Sequence, residues 1–234
     1  MTKKLHWLLI LGSLLFAVPV FAQQQGNTPP QPPKDWASFF RYEKLNELVT
    51  TPPKAVFLGN SITDMWYWAD TTFFKSNNYL GRGISSQTTA EMLVRFRADV
   101  INLKPKAVVI LAGTNDIAQN IGYISQENIF GNIVSMAELA HLHGILPILC
   151  SILPVYDYKW RPGLEPAGKI IQINGWMKEY AEKNGFVYVD YHSALKDERD
   201  GLPDKYSPDG VHVNKEGYNI MQSIVKAAID KAVK

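Results

Sequence analysis

Short runs of apolar residues between residues 55 and 189 predict a set of buried β-strands. The clearest runs cover 55–58, 107–112, 145–153 and 186–189, and a weaker one covers 79–80. They are mostly Val, Ile, Leu and Ala and lack the apolar/polar alternation of a strand with one solvated face. We therefore predict strands that are covered on both faces of their sheet.

Segments with apolar residues at helical spacing lie before, between and after these runs. They cover 39–49, 65–74, 89–103, 128–143, 169–183 and 215–233. Strands separated by helices pair in parallel, because the chain must cross back over the sheet between them. The predicted fold class is α/β, a three-layer α/β/α sandwich around a parallel sheet of about five strands. In such sheets ligands bind beyond the carboxyl ends of the strands.

The first 22 residues have the pattern of a signal peptide. Lys3 and Lys4 precede an apolar run at 7–18, Pro19 interrupts it, and the small residue Ala22 supplies a cleavage point. The run is shorter than the ~20 residues that a membrane span needs. We therefore expect residues 1–22 to be removed during export, leaving no stable membrane span and a periplasmic or secreted protein.

The remainder divides into a linker and one domain. Residues 23–35 are rich in Pro and Gln and contain little apolar surface to stabilise a fold, so we predict an extended linker. Residues 36–234 are long enough for a single well-buried domain and show no second boundary or internal repeat.

The charge balance and the cysteine content exclude some classes of partner and of covalent cross-link. The chain has 24 Lys and Arg and 22 Asp and Glu, and the two lysines of residues 1–22 account for the difference. This balance argues against a nucleic-acid partner held by bulk electrostatics. Cys150, the single cysteine, lies in an apolar run and is expected to be a buried thiol without a disulfide partner.

Polar residues and glycines follow the ends of the predicted strands. Ser61 follows the first, Gly83 the second and Asn115 the third, while Asp209 and His212 precede the last helical segment. Each has a structural alternative. The stretch 61–64 matches a Ser-x-x-Asp helix start in which the serine only caps the helix. Gly83 and Asp209 suit turns, and Asn115 or its neighbour Asp116 suits a helix cap.

The segments 59–62, 83–86, 113–116 and 209–212 resemble, in order and spacing, the four motif blocks of the SGNH or GDSL-like hydrolase family. The resemblance implies an SGNH/flavodoxin-like fold, with Ser61 as nucleophile, His212 as base and Asp209 as the acid that orients it. It also implies an oxyanion hole made by the backbone N–H groups of Ser61 and Gly83 and the side chain of Asn115. This chain departs from the family where Gly81 and Val213 replace a frequent Asn and Pro.

The chemistry of ester hydrolysis by a serine requires the same residue types. A serine hydroxyl attacks an ester only when an imidazole removes its proton, and a carboxylate must hold that imidazole in one tautomer. Amide and backbone N–H groups stabilise the developing oxyanion. Asp190 and His192, after the fifth strand, form an alternative dyad. No residue spacing predicts a metal or cofactor.

Aromatic residues near these segments suggest the substrate. Trp66 follows the nucleophile, and Tyr156, Trp160 and Arg161 lie in a long insertion after the fourth strand. Aromatic faces suit sugar rings and arginine suits an anionic group, so these four residues are candidate substrate contacts. The alternative is that Trp66 packs the core and the insertion forms a lid.

We therefore predict an exported serine esterase that removes short acyl groups, such as O-acetyl, from a carbohydrate. Its expected partner is a small-molecule or glycan ester. One alternative is an acylhydrolase resembling lysophospholipases or thioesterases. The other is a catalytically silent module that binds a glycan in the same cleft.

Overall fold

The computed structural model describes residues 35–233, which contain a five-stranded parallel sheet. The strands are paired in the order β2-β1-β3-β4-β5, and every pair is parallel. They are β1 Ala55–Gly59, β2 Tyr79–Gly83, β3 Ala107–Leu111, β4 Leu146–Cys150 and β5 Val187–Val189. The predicted α/β fold class is confirmed. The predicted signal peptide and nearly all of the predicted linker lie outside the described residues.

Helices cover both faces of the sheet, which explains why the strands are apolar throughout. Alternate side chains of β1 enter different cores: Val56 and Leu58 pack on one face, Ala55 and Phe57 on the other. The helices are α1 Glu43–Glu47, α2 Ser61–Ala69, α3 Thr71–Ser76, α4 Thr89–Asp99, α5 Thr114–Ile117, α6 Gln126–Leu142, α7 Pro166–Asn184, α8 Tyr191–Leu195 and α9 Lys215–Ala232.

Different helices form the two outer layers of the sandwich. Helices α4, α6 and α7 supply Met92, Ile133 and Met177 to one core. Helices α2, α3, α8 and α9 supply Trp66 and Met221, among others, to the opposite core. Each helix therefore buries one apolar face against the sheet, as a three-layer sandwich requires.

The carboxyl ends of β1, β2 and β3 lie level with one another. Gly59 at the end of β1 pairs in register with Gly83 of β2 and with Leu111 of β3. The chain runs from β1 to β2 on one side and then returns to the other side of β1 with β3. This reversal creates a crevice at the β1/β3 edge, where open α/β sheets bind ligands.

Some element boundaries differ from the prediction. The helical segment 65–74 is two helices, because the Asp70 carboxylate accepts the backbone N–H of Phe73 (2.9 Å) and starts α3. Strand β2 continues through polar Arg82 to Gly83. The helical pattern at 39–49 yields only a 3-10 turn, Phe39–Arg41, and the short α1. Helices α5 and α8 have no counterpart in the prediction.

Within residues 35–233, no helix combines the length and apolar character required to cross a bilayer. The Cys150 thiol is buried, as predicted, and burial raises its pKa to about 12. A thiol in this state is protonated at neutral pH, and therefore is a poor nucleophile.

Candidate active site

Ser61 is the first residue of α2, and its hydroxyl is not used to cap that helix. The cap is Asn60, whose side-chain oxygen accepts the N–H of Ile62 (3.0 Å) and whose carbonyl accepts the N–H of Asp64 (2.9 Å). The Ser61 Oγ lies instead 3.0 Å from Nε2 of His212. The interpretation of Ser61 as a capping residue is therefore wrong.

Two glycines allow the turn at Ser61 to pack closely against the sheet. A Cβ atom at Gly59 would lie 2.1 Å from Thr63 Oγ1, and one at Gly83 would lie 2.2 Å from the backbone nitrogen of Asp64. Only glycine fits at either position without moving the first turn of α2. Gly83 thus presses its backbone against the turn that carries Ser61.

The loop before α9 holds His212 by its ring and by its backbone. Asp209 Oδ2 lies 2.7 Å from the ring Nδ1, and Asp209 Oδ1 accepts the backbone N–H groups of His212 (2.7 Å) and Val211 (2.9 Å). Partial burial raises the pKa of Asp209, but these hydrogen bonds outweigh it and hold that pKa at about 2. The carboxylate therefore stays charged at neutral pH and favours the tautomer with hydrogen on Nδ1, leaving Nε2 free to accept from Ser61.

Asn115 and Asp116, neighbours in α5, perform different tasks. Asn115 is buried at the edge of the cleft and donates through Nδ2 to the carbonyl of Gln87 (3.0 Å). Asp116 accepts the backbone N–H (2.9 Å) and hydroxyl (2.6 Å) of Thr89 at the start of α4. Burial raises the pKa of Asp116 to about 6 despite those hydrogen bonds. Asp116 therefore anchors α5 to α4, while the second Nδ2 hydrogen of Asn115 has no acceptor among residues 35–233 and is available to a ligand.

A buried polar network supports Asn115 from behind. Arg95, which is fully buried, donates to Gln87 Oε1 (2.6 Å), to the carbonyl of Gly59 (3.1 Å) and to Asp99 (2.8 Å). It thus connects the residue that orients Asn115 with the strand end that leads to Ser61. Sequence reasoning missed this network. The available signal was Arg95 and Asp99 at helical spacing with Met92 and Phe96, on the apolar face of α4.

An open cleft of about 540 Å³ lies over Ser61 and His212. Six of its nine lining residues have polar side chains, and its largest side chain is Trp160, which is 50% exposed. The lining residues are Ser61, Met65, Ser85, Ser86, Asn115, Asn120, Trp160, Val211 and His212. Of the predicted substrate contacts, the structure brings Trp160 alone to this cleft.

Trp66, Tyr156 and Arg161 lie away from the cleft, and the structure corrects the prediction for each. Trp66 is 1% exposed and stacks in the core with Tyr218, 5.5 Å between ring centroids. Tyr156 is exposed, with the guanidinium of Arg199 5.1 Å from its ring centroid. Arg161 Nη1 donates to the carbonyls of Ala118 (3.1 Å) and Gln119 (2.5 Å), so it braces the end of α5.

The alternative dyad of Asp190 and His192 does not form. The Asp190 carboxylate accepts the N–H (3.0 Å) and hydroxyl (2.7 Å) of Ser193 and caps α8. His192 is buried, and its Nε2 has no hydrogen-bond partner among the described residues. Burial lowers the pKa of His192. In the part of the chain that the structure describes, no three His, Cys, Asp or Glu side chains gather as metal ligands.

Comparison with known proteins identifies the family. The model of the GDSL-like Lipase/Acylhydrolase family matches residues 57–220, and the chain belongs to this family. Two solved structures from Bacteroides cover nearly the same domain. One, assigned as an acylhydrolase of Bacteroides fragilis, has 45% identity, a TM-score of 0.84 and coverage of 86% of this chain and 100% of its own. The other, a GDSL-like lipase of Bacteroides thetaiotaomicron, has 44% identity, a TM-score of 0.82 and coverage of 84% and 99%. These matches confirm the SGNH resemblance and indicate a hydrolase that acts on ester bonds.

More distant relatives match less of the chain or less of its sequence. The Bacillus subtilis protein called uncharacterized lipoprotein YqeF is 37% identical over 81 residues, which is 33% of each chain. An acetylxylan esterase of Geobacillus stearothermophilus has 18% identity, a TM-score of 0.62 and coverage of 76% and 94%. The latter shares the fold.

Proposed function

We propose that this protein is a serine esterase that hydrolyses carboxylic esters through an acyl intermediate on Ser61. The observation that carries the proposal is the continuous hydrogen-bonded chain from Ser61 Oγ to His212 Nε2 (3.0 Å) and from His212 Nδ1 to Asp209 Oδ2 (2.7 Å). This chain opens into the cleft, so an ester carbonyl has access to the Ser61 hydroxyl. A nucleophile, a base and an orienting acid in this geometry are the requirements for acyl transfer.

In the first half-reaction, Ser61 Oγ attacks the carbonyl carbon while His212 Nε2 takes the hydroxyl proton. The carbonyl oxygen becomes an oxyanion, for which the backbone N–H groups of Ser61 and Gly83 and the free N–H of Asn115 are the proposed donors. The N–H of Ser61 has no acceptor within its own helix, because Ser61 lies in the first turn. The tetrahedral intermediate then collapses, and His212 returns the proton to the departing alkoxide.

In the second half-reaction, water replaces the alcohol. His212 removes a proton from the water as it attacks the acyl-serine carbonyl, and the same donors stabilise the second oxyanion. Collapse breaks the bond to Ser61 Oγ, which takes the proton back from His212. The products are the free acid and the original enzyme. Asp209 stabilises the imidazolium in both halves without taking the proton.

The lining of the cleft supports a short acyl group on a carbohydrate as the substrate. Ser85, Ser86 and Asn120 offer hydrogen-bonding groups to sugar hydroxyls, and the half-exposed ring of Trp160 offers a flat apolar face. Met65 and Val211 are the only aliphatic residues of the lining. A long acyl chain would leave more apolar surface in water than these two side chains cover.

We further propose that the enzyme is exported. The support is the signal-peptide pattern of residues 1–22 and the partial match to a protein named as a lipoprotein. The expected result is a secreted or periplasmic chain that begins at Gln23, as read by N-terminal sequencing. If the protein isolated from the producing cells still carries residues 1–22, this proposal is wrong.

The reaction is tested by kcat/KM on p-nitrophenyl esters from acetate to long-chain acyl esters, with Ser61→Ala as the blank. We expect the highest kcat/KM on the acetate ester. In Ser61→Ala we expect no hydrolysis above the uncatalysed background. Values that rise with chain length would favour the alternative acylhydrolase resembling lysophospholipases. If a fluorophosphonate fails to label Ser61 of the folded protein, the esterase proposal is wrong and a silent binding module is favoured.

The carbohydrate specificity is tested with Trp160→Ala and a matched control, Tyr156→Ala. Both residues are exposed aromatics of the same insertion, but Trp160 alone lines the cleft. We expect Trp160→Ala to raise KM for an acetylated oligosaccharide about fivefold and to leave p-nitrophenyl acetate nearly unaffected, because stacking on one ring contributes about 1 kcal/mol. Equal effects of the two substitutions would contradict the assignment of Trp160.

A further inference from the structure

A second hollow, of about 340 Å³, lies next to the catalytic cleft. Ser85 belongs to the cleft and donates its hydroxyl to Asp64 Oδ2 (3.0 Å), which belongs to the hollow, so this pair forms the wall between them. The hollow is lined by Arg41, Tyr42, Leu45, Leu48, Val49, Asp64, Tyr67, Trp68, Leu80, Gly81 and Arg82. We refer to it as the Arg82 hollow.

Most of the side chains that line the Arg82 hollow are apolar. Leu45, Leu48 and Val49 come from α1 and the residues after it, Leu80 comes from β2, and Trp68 comes from α2. Leu48 and Trp68 are 74% and 68% exposed, although both are large apolar side chains. Apolar surface of this kind, concentrated in a concave site rather than scattered, is typical of a binding site.

Arg82 brings a buried positive charge to this hollow. The residue is 4% exposed, yet the described part of the chain places no carboxylate within salt-bridge distance of its guanidinium. Its Nε donates to Asn46 Oδ1 (2.9 Å), its Nη1 donates to the carbonyl of Gly81 (2.8 Å), and its guanidinium lies over the ring of Tyr42. Among residues 35–233, no acceptor contacts Nη2. A buried cation that meets only neutral groups is costly, and burial normally requires a countercharge.

The neighbouring polar network supplies a single carboxylate, Asp99, which Arg82 must share with Arg95. Asn46 Nδ2 donates to Asp99 Oδ1 (2.7 Å), and Asp99 Oδ2 pairs with the buried Arg95 (2.8 Å). The connected network therefore contains two guanidinium groups and one carboxylate. At the rim, Asp64 is paired with Arg41 (3.2 Å) and is already neutralised. One positive charge in the network remains unbalanced, and Arg82 carries it to the hollow.

We propose that the Arg82 hollow binds an amphiphile with a carboxylate head and an aliphatic tail. The carboxylate neutralises Arg82 by accepting from its guanidinium, and the tail covers Leu45, Leu48 and Trp68. A guanidinium is well suited to a carboxylate because it offers parallel N–H donors. The volume is within the range of small-molecule sites, at the lower end of about 300–1,000 Å³. The inference rests on the charge and lining of this hollow and does not depend on ester hydrolysis at Ser61.

The probe is laurate, used below its micelle concentration and titrated into the purified protein by isothermal titration calorimetry. Two control ligands separate head from tail. Acetate has the same head without the tail, and dodecyltrimethylammonium has the same tail with the opposite charge. We expect laurate to bind at one site at least tenfold more tightly than either control, because only laurate satisfies both the charge and the apolar walls.

Two substitutions locate the site. Leu48→Asp places a negative charge at the exposed rim, and Leu142→Asp, at the equally exposed end of α6, is the matched control. We expect Leu48→Asp to weaken laurate binding at least tenfold with p-nitrophenyl acetate hydrolysis unchanged, and Leu142→Asp to change neither. Arg82→Met, if folded, is expected to equalise the affinities for laurate and dodecyltrimethylammonium.

Three outcomes would overturn the proposal. Laurate and dodecyltrimethylammonium that bind equally would show an apolar surface without anion recognition. Laurate binding that survives Leu48→Asp unchanged would place the ligand elsewhere. A concentration-dependent dimer that Leu48→Asp disrupts, in a protein that does not bind laurate, would show that this face contacts a second copy of the chain. Because esterase activity is measured separately, these failures are distinct from failure of the esterase proposal.

Discussion

Two segments of this chain place an aspartate shortly before a histidine, and they form different structures. In the segment 209–212, the carboxylate of Asp209 contacts the ring of His212, and that ring contacts Ser61. In the segment 190–192, the carboxylate of Asp190 contacts Ser193, and the Nε2 of His192 is buried without a partner among the described residues. The residue types are the same, yet one segment forms a dyad and the other a helix cap.

The position of the next helix explains the difference. Helix α8 begins directly after Asp190, so its free backbone N–H groups attract the Asp190 carboxylate. Helix α9 begins at Lys215 and is capped by Asn214, whose side-chain oxygen accepts the N–H of Gly217 (3.1 Å). Asp209 is therefore not needed as a cap. In this chain, the aspartate that orients a histidine is the one whose carboxylate is not taken up by a helix start.

The largest expected effect separates the two histidines directly. We expect His212→Ala to lower kcat/KM on p-nitrophenyl acetate by about 10⁴-fold or more, because Ser61 then has no base. His192→Ala should change kcat/KM by only a few-fold, although it opens a cavity and lowers thermal stability. Initial rates and thermal melts of both variants test this. A larger rate loss for His192→Ala would move the site to the other segment.

The second prediction separates the two aspartates. Asp209→Asn should lower kcat about 10⁴-fold, since an amide no longer favours the required tautomer of His212. Asp190→Asn should leave kcat within a few-fold of wild type, because asparagine also caps helices. Single-turnover and steady-state rates at pH 7.5 test both. If kcat falls by a similar factor in both variants, the conclusion that Asp209 orients His212 while Asp190 only caps α8 is wrong.

Asp209 also affects stability at low pH. Its folded-state pKa of about 2 lies below the ordinary value of 3.8. The folded state therefore favours the charged form, and this stabilisation is present above pH 3.8 and is lost as the pH falls toward 2. In Asp209→Asn this contribution to the acid transition should be absent, as acid titration followed by circular dichroism would reveal.

The next prediction concerns the contribution of Asn115, in the cleft, to catalysis. We expect Asn115→Ala to lower kcat on the order of 10²- to 10³-fold with little change in KM, because its free N–H acts on the oxyanion rather than on the bound ester. Asn120→Ala, which alters a second asparagine of the same lining, should change kcat only a few-fold. If KM rises and kcat is unchanged in Asn115→Ala, Asn115 binds substrate and is not an oxyanion donor.

The smallest expected effect concerns His192 and pH. Burial lowers the pKa of His192 below its ordinary value of 6.5, so the folded state resists protonation more than the unfolded state does. Stability should therefore decrease as the pH falls below 6.5. His192→Gln should reduce the drop in Tm between pH 7.5 and pH 5 by about 2 °C. An unchanged drop would indicate that His192 is not the group responsible.

The burial of individual aromatic and charged residues could not be predicted from the sequence. Trp66 and Trp160 are the same residue type near the same site, but Trp66 belongs to the core and Trp160 to the cleft. Arg82 and Arg95 are charged residues that an isolated sequence places on the surface, yet both are buried. Their burial depends on hydrogen-bond partners elsewhere in the chain, such as Asn46 for Arg82.

The parallel sheet, the family and the identity of the candidate reactive residues could be predicted from the amino-acid sequence alone. These follow from local information, because a buried strand needs a run of apolar residues and acyl transfer needs particular side chains at strand ends. Tertiary packing, by contrast, makes Asn60 the cap of α2, makes the Asp116 carboxylate the acceptor for Thr89, and brings the ring of Trp160 into the cleft. It also brought Ser61 to His212 across 151 positions. Such contacts depend on how distant segments pack, and no local pattern contains that packing.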